Sequence, residues 1–450
     1  MVRKVLLSAV ILLLIFPAMA FADSSAEMLN MGLNAMWIFV AAVLVILMQG
    51  GFVLLEAGAT RMKNAGHVAG KTVFTVGLGS LVYWAAGYGL TFGGEAGETV
   101  NRLIGWGSFF FDPAIAASGG ESYPQTVYFV FQLAFALISL SIAWGGFAER
   151  AKLSAYLFFT FFFMTVIYPV VAHWIWGGGW LAMDGAQDYA GSTVVHLTGA
   201  VAAFAATVLL KPRIGKYNKD GSANIIPGHN QVFSALAVLL LWVGWFGFNA
   251  GSSAAVGDGF FGYVAFNTQL GAAAGAVAAL LISWLAAGKA DITATLNGAL
   301  AGLVAITASC AFVTPWAAVI IGLVAGVLVF FSARFFEKMK IDDPIFALSV
   351  HGTAGIWGTI ANGIFATDEL AKKVGVGQGG LLDTGSWQQL WVQLESVVVC
   401  GIFVMAASFL ILGIIKRVIG LRVTEEQEII GLDLSEHGMY GYPEQMKKLQ

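Results

Sequence analysis

The chain has 450 residues, of which 58% are hydrophobic and only 11% charged, with a formal net charge of -3. Soluble domains carry about 25% charged residues, so water is not the main solvent of this protein. Its 56 glycines follow no three-residue period and it has no basic block, which excludes a collagen-like fibre and a nucleic-acid binder.

At the N-terminus Arg3 and Lys4 precede an apolar stretch from Val5 to Phe16, followed by Pro17 and Ala20-Phe21-Ala22. This order reads as a secretory signal peptide over residues 1–22, cleaved after Ala22. The competing reading, an uncleaved first span, meets the objection that the stretch is shorter than the ~20 residues of a bilayer crossing.

Eleven apolar runs follow, at 33–56, 72–93, 126–147, 154–175, 190–210, 232–255, 262–287, 293–313, 316–335, 345–365 and 388–415. Each is long enough to cross a bilayer as a helix, so the expected fold is an all-α integral membrane protein with eleven transmembrane helices. With the mature N-terminus outside, an odd number of crossings places the C-terminus in the cytoplasm. Lys and Arg gather in cytoplasmic loops, and in this orientation the inner loops hold thirteen, Arg61, Lys63 and Lys71 first and Lys340 last, against three outside, Arg102, Lys372 and Lys373. The transmembrane domain is therefore read as 23–415 and the cytoplasmic tail as 416–450. The tail is too short for a catalytic domain. Cys310 and Cys400 both lie in apolar runs and read as packed thiols.

Ionisable groups at mid-membrane depth are costly and tend to face a pathway. Two histidines qualify: His196 in the fifth run and His351 in the tenth, each eight residues after an aspartate, Asp188 and Asp343. Five spans separate the two segments, so they cross in opposite directions, the pattern of an inverted repeat of five plus five helices with a final helix added. At about 1.5 Å per residue each histidine sits roughly 12 Å in from its aspartate, and in a core about 30 Å thick the two imidazoles should meet near the midplane. The plainer alternative is that each ring donates to a neighbouring helix. No third metal ligand is evident at that depth, and no nucleophile motif accompanies the histidines, so an enzyme is disfavoured. What remains is a conduit for, or a sensor of, something small.

Such a passage offers a permanent inorganic cation neither a carboxylate ring nor a carbonyl filter motif. A cation that can shed a proton and cross as a small neutral molecule fits better. Towards the outer side stand Phe131 and Phe135, spaced i,i+4, Trp176 in Trp176-Gly-Gly-Gly-Trp180, and Phe248 and Ser252 in Trp245-Phe-Gly-Phe-Asn-Ala-Gly-Ser252. Ring faces attract cations, although an interfacial aromatic belt has the same composition.

Several ordered segments resemble the ammonium transporter (Amt/MEP/Rh) family, in its bacterial Amt form. They are Asp188 to His196 continuing to Arg213, Gly244 to Ser252, Asn297 to Thr307, Asp342 to Gly352, and Gly431-Leu-Asp-Leu-Ser-Glu-His437-Gly in the tail, and the resemblance as a whole spans the chain from about residue 31 to 443. The resemblance implies a homotrimer in the cytoplasmic (inner) membrane, one pore per subunit, taking up ammonium, with methylammonium as an alternative substrate. It implies an outer recruitment site of Phe131, Trp176 and Ser252, and a gate of Phe135 and Phe248. The twin histidines would be His196 and His351, with Trp245 and Thr307 as further pore positions and Asp188 bracing the outer vestibule without touching substrate. No cofactor or metal is implied. A PII-type signalling protein is the implied partner at the cytoplasmic face. A sensor of ammonium that signals through a cytoplasmic partner is the rival reading. Glu56 has no implied role and reads as an interfacial carboxylate.

Overall fold

A computed structural model of the chain describes residues 2–94, 101–112 and 122–443, with side chains from residue 26 onward. The side chains on which the leader reading rests, in residues 1–22, lie outside that description, as does the tail beyond residue 443. Among the described residues there is no strand, only the isolated bridges Ala151 with Arg422 and Tyr217 with Ala223.

The helices that overlap the eleven apolar runs are, in order, α1 (Ala26–Ala59), α2 (Met62–Phe92), α3 (Gln125–Phe147), α4 (Leu153–Met183), α5 (Ser192–Leu210), α6 (Gln231–Ala250), α7 (Phe260–Ala287), α8 (Ile292–Thr307), α9 (Pro315–Lys338), α10 (348–365) and α11 (Gln388–Val418). Nine of them, among the described residues, are long and apolar enough to cross a bilayer; α8, with 16 residues, falls short by length, and α10 is outside the nine as well. α8 stops at Thr307 because its end is intercepted by the loop before α5: Ala190 and Tyr189 donate backbone hydrogens to the carbonyls of Thr307 and Ala308, and Ala308 donates to Ser192 Oγ at 2.7 Å.

In lipid, helices associate by close packing of small residues rather than by the hydrophobic effect. α7, α8 and α9 each carry a glycine pair four residues apart, Gly271 and Gly275, Gly298 and Gly302, Gly322 and Gly326. A Cβ on Gly302 or on Gly322 would stand 2.2 Å from the carbonyl oxygen of Gly271, so these three backbones touch and only glycine fits. α1 packs along α3 and α6, and α11 along α5 and α10.

The helix ends nearest the tail are joined by buried charges. Glu149, between α3 and α4, pairs with Arg61 at 2.8 Å and Arg213 at 2.9 Å, and Arg213 pairs with Asp342 at 2.8 Å. Burial would raise the Asp342 carboxyl, but the hydrogen bonds and charge of Arg213 outweigh it and hold it down to about 2. The tail docks on this layer as a set of helix caps. The Asp433 carboxylate accepts the backbone hydrogens of Gly66 (3.0 Å) and His67 (2.7 Å) in the first turns of α2, and Glu436 accepts that of Leu153, which opens α4, at 2.8 Å.

Two readings of the sequence need correction here. Glu56 is not interfacial: it is 0% exposed and ion-paired with Lys71 at 2.8 Å. Lys71 likewise is no loop cation, since it lies inside α2, fully buried, with its ammonium 5.7 Å from the ring centre of Trp144 and 5.5 Å from that of Tyr156. Each charge is tolerated at that depth because the other neutralises it.

Candidate functional site

Asp188 lies in the loop between α4 and α5 and folds that loop onto the start of α5. Its Oδ1 accepts from the Gly191 backbone at 3.0 Å, and its Oδ2 from Thr193 and Val194, both at 2.9 Å. The turn needs glycine at 191, where φ is +113° and a Cβ would meet Val195 at 2.7 Å and the Trp176 ring at 3.1 Å. From this cap α5 starts as a π-helical turn, Ser192–Leu197, which carries His196. Asp343 repeats the device: its Oδ2 accepts from Leu348, again five residues on, at 2.8 Å, and a π-helical turn, Leu348–Thr353, carries His351. Burial raises the carboxyl of Asp188 to about 6 against the pull of the backbone hydrogens of Val194 and Thr193. It raises that of Asp343 likewise to about 6. The oxygens of Asp188 are consumed by backbone, which fits a bracing part.

The two imidazoles face each other. Their Nδ1 atoms are 3.2 Å apart and their planes 13° from parallel, with 0% exposure at His196 and 4% at His351. A neutral pair in this geometry has one Nδ1–H and one Nδ1 lone pair, so one ring presents Nε2 as an acceptor and the other as a donor. Nε2 of His196 is buried without a partner.

Rings stack on this pair. Trp245 lies over His196 with centroids 5.2 Å apart and planes at 14°. Its orientation is fixed by Thr307, whose Oγ1 accepts the indole hydrogen at 2.8 Å while donating to the Leu303 carbonyl at 2.7 Å. Phe248 follows at 5.5 Å from His196 and stacks on Phe135 at 4.0 Å and 19°. Phe135 in turn contacts Phe131 at 4.6 Å and Trp176 at 5.9 Å, the latter edge-on. Trp176 is held by its indole hydrogen, donated to the Asp188 carbonyl at 2.7 Å. Ser252 donates its hydroxyl hydrogen to the Phe248 carbonyl at 2.9 Å, which leaves its oxygen lone pairs available.

The aromatic, hydroxyl and imidazole residues named from sequence thus gather in one column, with Ser252, Trp176 and Phe131 at one end, Phe135 and Phe248 next, and Trp245, Thr307, His196 and His351 beyond. Asp188 and Asp343 cap the turns beside it. A cavity of about 430 Å³ opens at the Ser252 end, with Asn34, Tyr189, Asp258 and Lys373 in its wall. A second, of about 650 Å³, opens at the Asp343 end, bordered by Leu55, Ser234, Asn297 and Ser349. Sequence reasoning passed over Ser192, which bonds α5 to the end of α8 through the Val304 carbonyl (2.7 Å) and the Ala308 backbone hydrogen. It passed over Ser139 too, which donates to the Val195 carbonyl beside His196 at 2.9 Å. A serine inside an apolar run is the available signal, and it does not say which carbonyl is met.

The model of the Ammonium Transporter Family matches residues 36–442. This chain belongs to that family. Among curated ammonium transporters, Amt2 of Archaeoglobus fulgidus is 41% identical, over 97% of this chain and 94% of that one. The ammonium transporter of Bacillus subtilis is 36% identical, over 92% and 99%. Of solved structures, one titled "Sensor Amt Protein" superposes with a TM-score of 0.84 at 37% identity, over 91% of this chain and 100% of that one. Mep2 of Candida albicans superposes with a TM-score of 0.80 at 29% identity, over 91% and 90%. The relatives are transporters and not enzymes, and this ammonium transporter is a multi-pass membrane protein.

Proposed function

We propose that this ammonium transporter recruits ammonium at Trp176, Phe131 and Ser252, where the cation gives up its proton to solvent water at that outer site, and passes ammonia between Phe135 and Phe248 and along His196 and His351. The observation that carries the reading is the pair of imidazoles 3.2 Å apart, directly below a stacked phenylalanine pair.

At the recruitment end the ring faces attract a cation, by about 0.5 to 2 kcal/mol depending on hydration. The Ser252 lone pairs accept one N–H. The phenylalanine pair offers no oxygen ligand to a dehydrated ion, so potassium meets the full desolvation cost while ammonium can leave its proton behind. Ammonia then meets one imidazole nitrogen that accepts and one that donates, matching its own lone pair and N–H groups. It takes up a proton again on the inner side. Whether the proton stays outside or follows separately decides if passage is neutral or electrogenic.

Several finer features belong to the same reading. All eleven helices cross, α1 to α5 and α6 to α10 form an inverted repeat with α11 added, and residues 1–22 are a cleaved leader. The mature N-terminus faces outward, the tail lies in the cytoplasm of an inner membrane, and three copies form a homotrimer. A PII-family protein meets the cytoplasmic face. The matched Asp188 and Asp343 caps, each five residues before a capped backbone hydrogen and eight before a histidine, support the repeat.

A sensing role is the second reading, supported by the likeness to a protein titled a sensor. Purified protein in liposomes separates the two: ammonium flux with no potassium flux supports transport, and no flux of either supports sensing.

A further inference from the structure

One buried amide on the final helix is tied to the recruitment end of the column. Gln393 is 0% exposed and lies on α11, outside the two matched histidine segments. Its Oε1 accepts the Gln187 backbone hydrogen at 2.9 Å, and its Nε2 donates to the Gln187 carbonyl at 2.6 Å and to the Thr359 carbonyl at 3.2 Å. The side chain therefore pairs with both polar groups of one residue, as a neighbouring strand would.

That residue immediately precedes Asp188. Because the peptide unit is planar, fixing the carbonyl of Gln187 fixes the plane from which Asp188 departs. The Asp188 carbonyl holds the Trp176 indole, and its carboxylate caps the turn that bears His196. Further amides flank this contact: Asn362 donates to Gln187 Oε1 at 2.7 Å, and Gln389 donates to the Gly185 carbonyl at 3.0 Å and to Gln393 Oε1 at 3.2 Å. Gln393 alone among these grips the main chain of Gln187 from both sides.

We propose that Gln393 is a positioning residue that sets the height and tilt of the Trp176 ring through the Gln187–Asp188 peptide, and thereby the affinity for the entering cation. This rests on the recruitment reading above. A satisfied buried amide with only a packing role predicts something different, since its removal lowers the amount of folded protein without changing the half-saturation concentration of what folds.

The test is ammonium uptake by purified protein in liposomes for wild type, Gln393→Leu, Trp176→Leu and the double variant. Gln393→Leu should raise the half-saturation concentration by about fivefold or more and leave maximal flux per folded trimer within about twofold, and the double variant should be no worse than Trp176→Leu. A rise that adds fully to that of Trp176→Leu, or a fall in maximal flux alone, overturns the proposal. If Trp176→Leu leaves half-saturation unchanged, the recruitment reading fails and this inference with it, whereas an effect of Trp176→Leu without one of Gln393→Leu removes only the inference.

Should Gln393→Leu fail to assemble, Gln393→Glu decides. A carboxylate keeps the acceptor for Gln187 and loses the donor, and a protonated carboxyl restores it. Its half-saturation, taken as a ratio to wild type, should fall towards one as pH is lowered; a ratio independent of pH contradicts the proposal.

Discussion

Thr307 Oγ1 takes the indole hydrogen of Trp245 at 2.8 Å, and that bond sets the plane on which the His196 ring lies, 14° from parallel. A methyl group in place of the hydroxyl leaves a buried N–H unpaired, at a cost of about 1 to 3 kcal/mol. Thr307→Val should therefore lower thermal stability in detergent and reduce ammonium flux together, while Thr307→Ser, which keeps the hydroxyl, should retain most of both. Equal flux in Thr307→Val and wild type would show that the Trp245 plane does not matter to passage.

In the proposed path Trp176 meets the cation before Phe135 and Phe248 do. Trp176→Leu should raise the half-saturation concentration of uptake by about tenfold, about 1.4 kcal/mol and within the range of a cation–ring contact, and lower maximal flux much less. Uptake at graded ammonium concentrations checks this, and an unchanged half-saturation counts against recruitment at that ring.

Glu56 and Lys71 form a pair cut off from water, 2.8 Å apart. Removing one partner strands the other, so Glu56→Gln should destabilise the protein by about 3 to 5 kcal/mol, whereas joint replacement by Gln and Met should recover most of it. Thermal unfolding of the single and double variants measures the difference. A single variant as stable as wild type would mean that Lys71 finds water or another acceptor.

Acid acts on the buried carboxyls in two stages. Asp188 and Asp343 have carboxyls raised to about 6 from the ordinary 3.8, so the folded protein binds their protons first and these two sites gain stability as pH falls from 6 to 4. Asp342 is held down to about 2 by Arg213, so its contribution, roughly 2 kcal/mol, is fully present above pH 3.8 and is lost as pH falls through 2. Unfolding temperatures between pH 7 and pH 2 should thus hold or rise to about pH 4 and then drop. Asp342→Asn should be less stable at neutral pH and lack this part of the drop; parallel curves for the two proteins would contradict the assignment.

Hydropathy made the helices legible, because any apolar run of bilayer length must satisfy its backbone internally. The spacing from Asp188 to His196 and from Asp343 to His351 made the centre of the site legible, since a helix converts equal sequence offsets into equal depths. Lys71 was misplaced because a lone lysine near a run's edge looks like a loop residue until its acid, Glu56 on the preceding helix, is found. Gln393 was invisible for a different reason. An amide in an apolar run announces a buried bond but not its partner, here 206 residues away. The tail's part in capping α2 and α4 was hidden likewise, since the segment from Gly431 to Gly438 carries a resemblance but does not say which backbone hydrogens Asp433 and Glu436 meet.

The central claim is that ammonia moves along the facing imidazoles of His196 and His351, and proteoliposome flux tests it most directly. Wild type, His196→Ala and His351→Ala, each checked for trimer assembly, are given equal jumps of ammonium and of potassium while internal pH and current are recorded. The account predicts a saturable ammonium response and no potassium response in wild type, and in each variant either an ammonium response reduced at least about tenfold or a new potassium response. Two variants with wild-type ammonium flux and continued exclusion of potassium would contradict it.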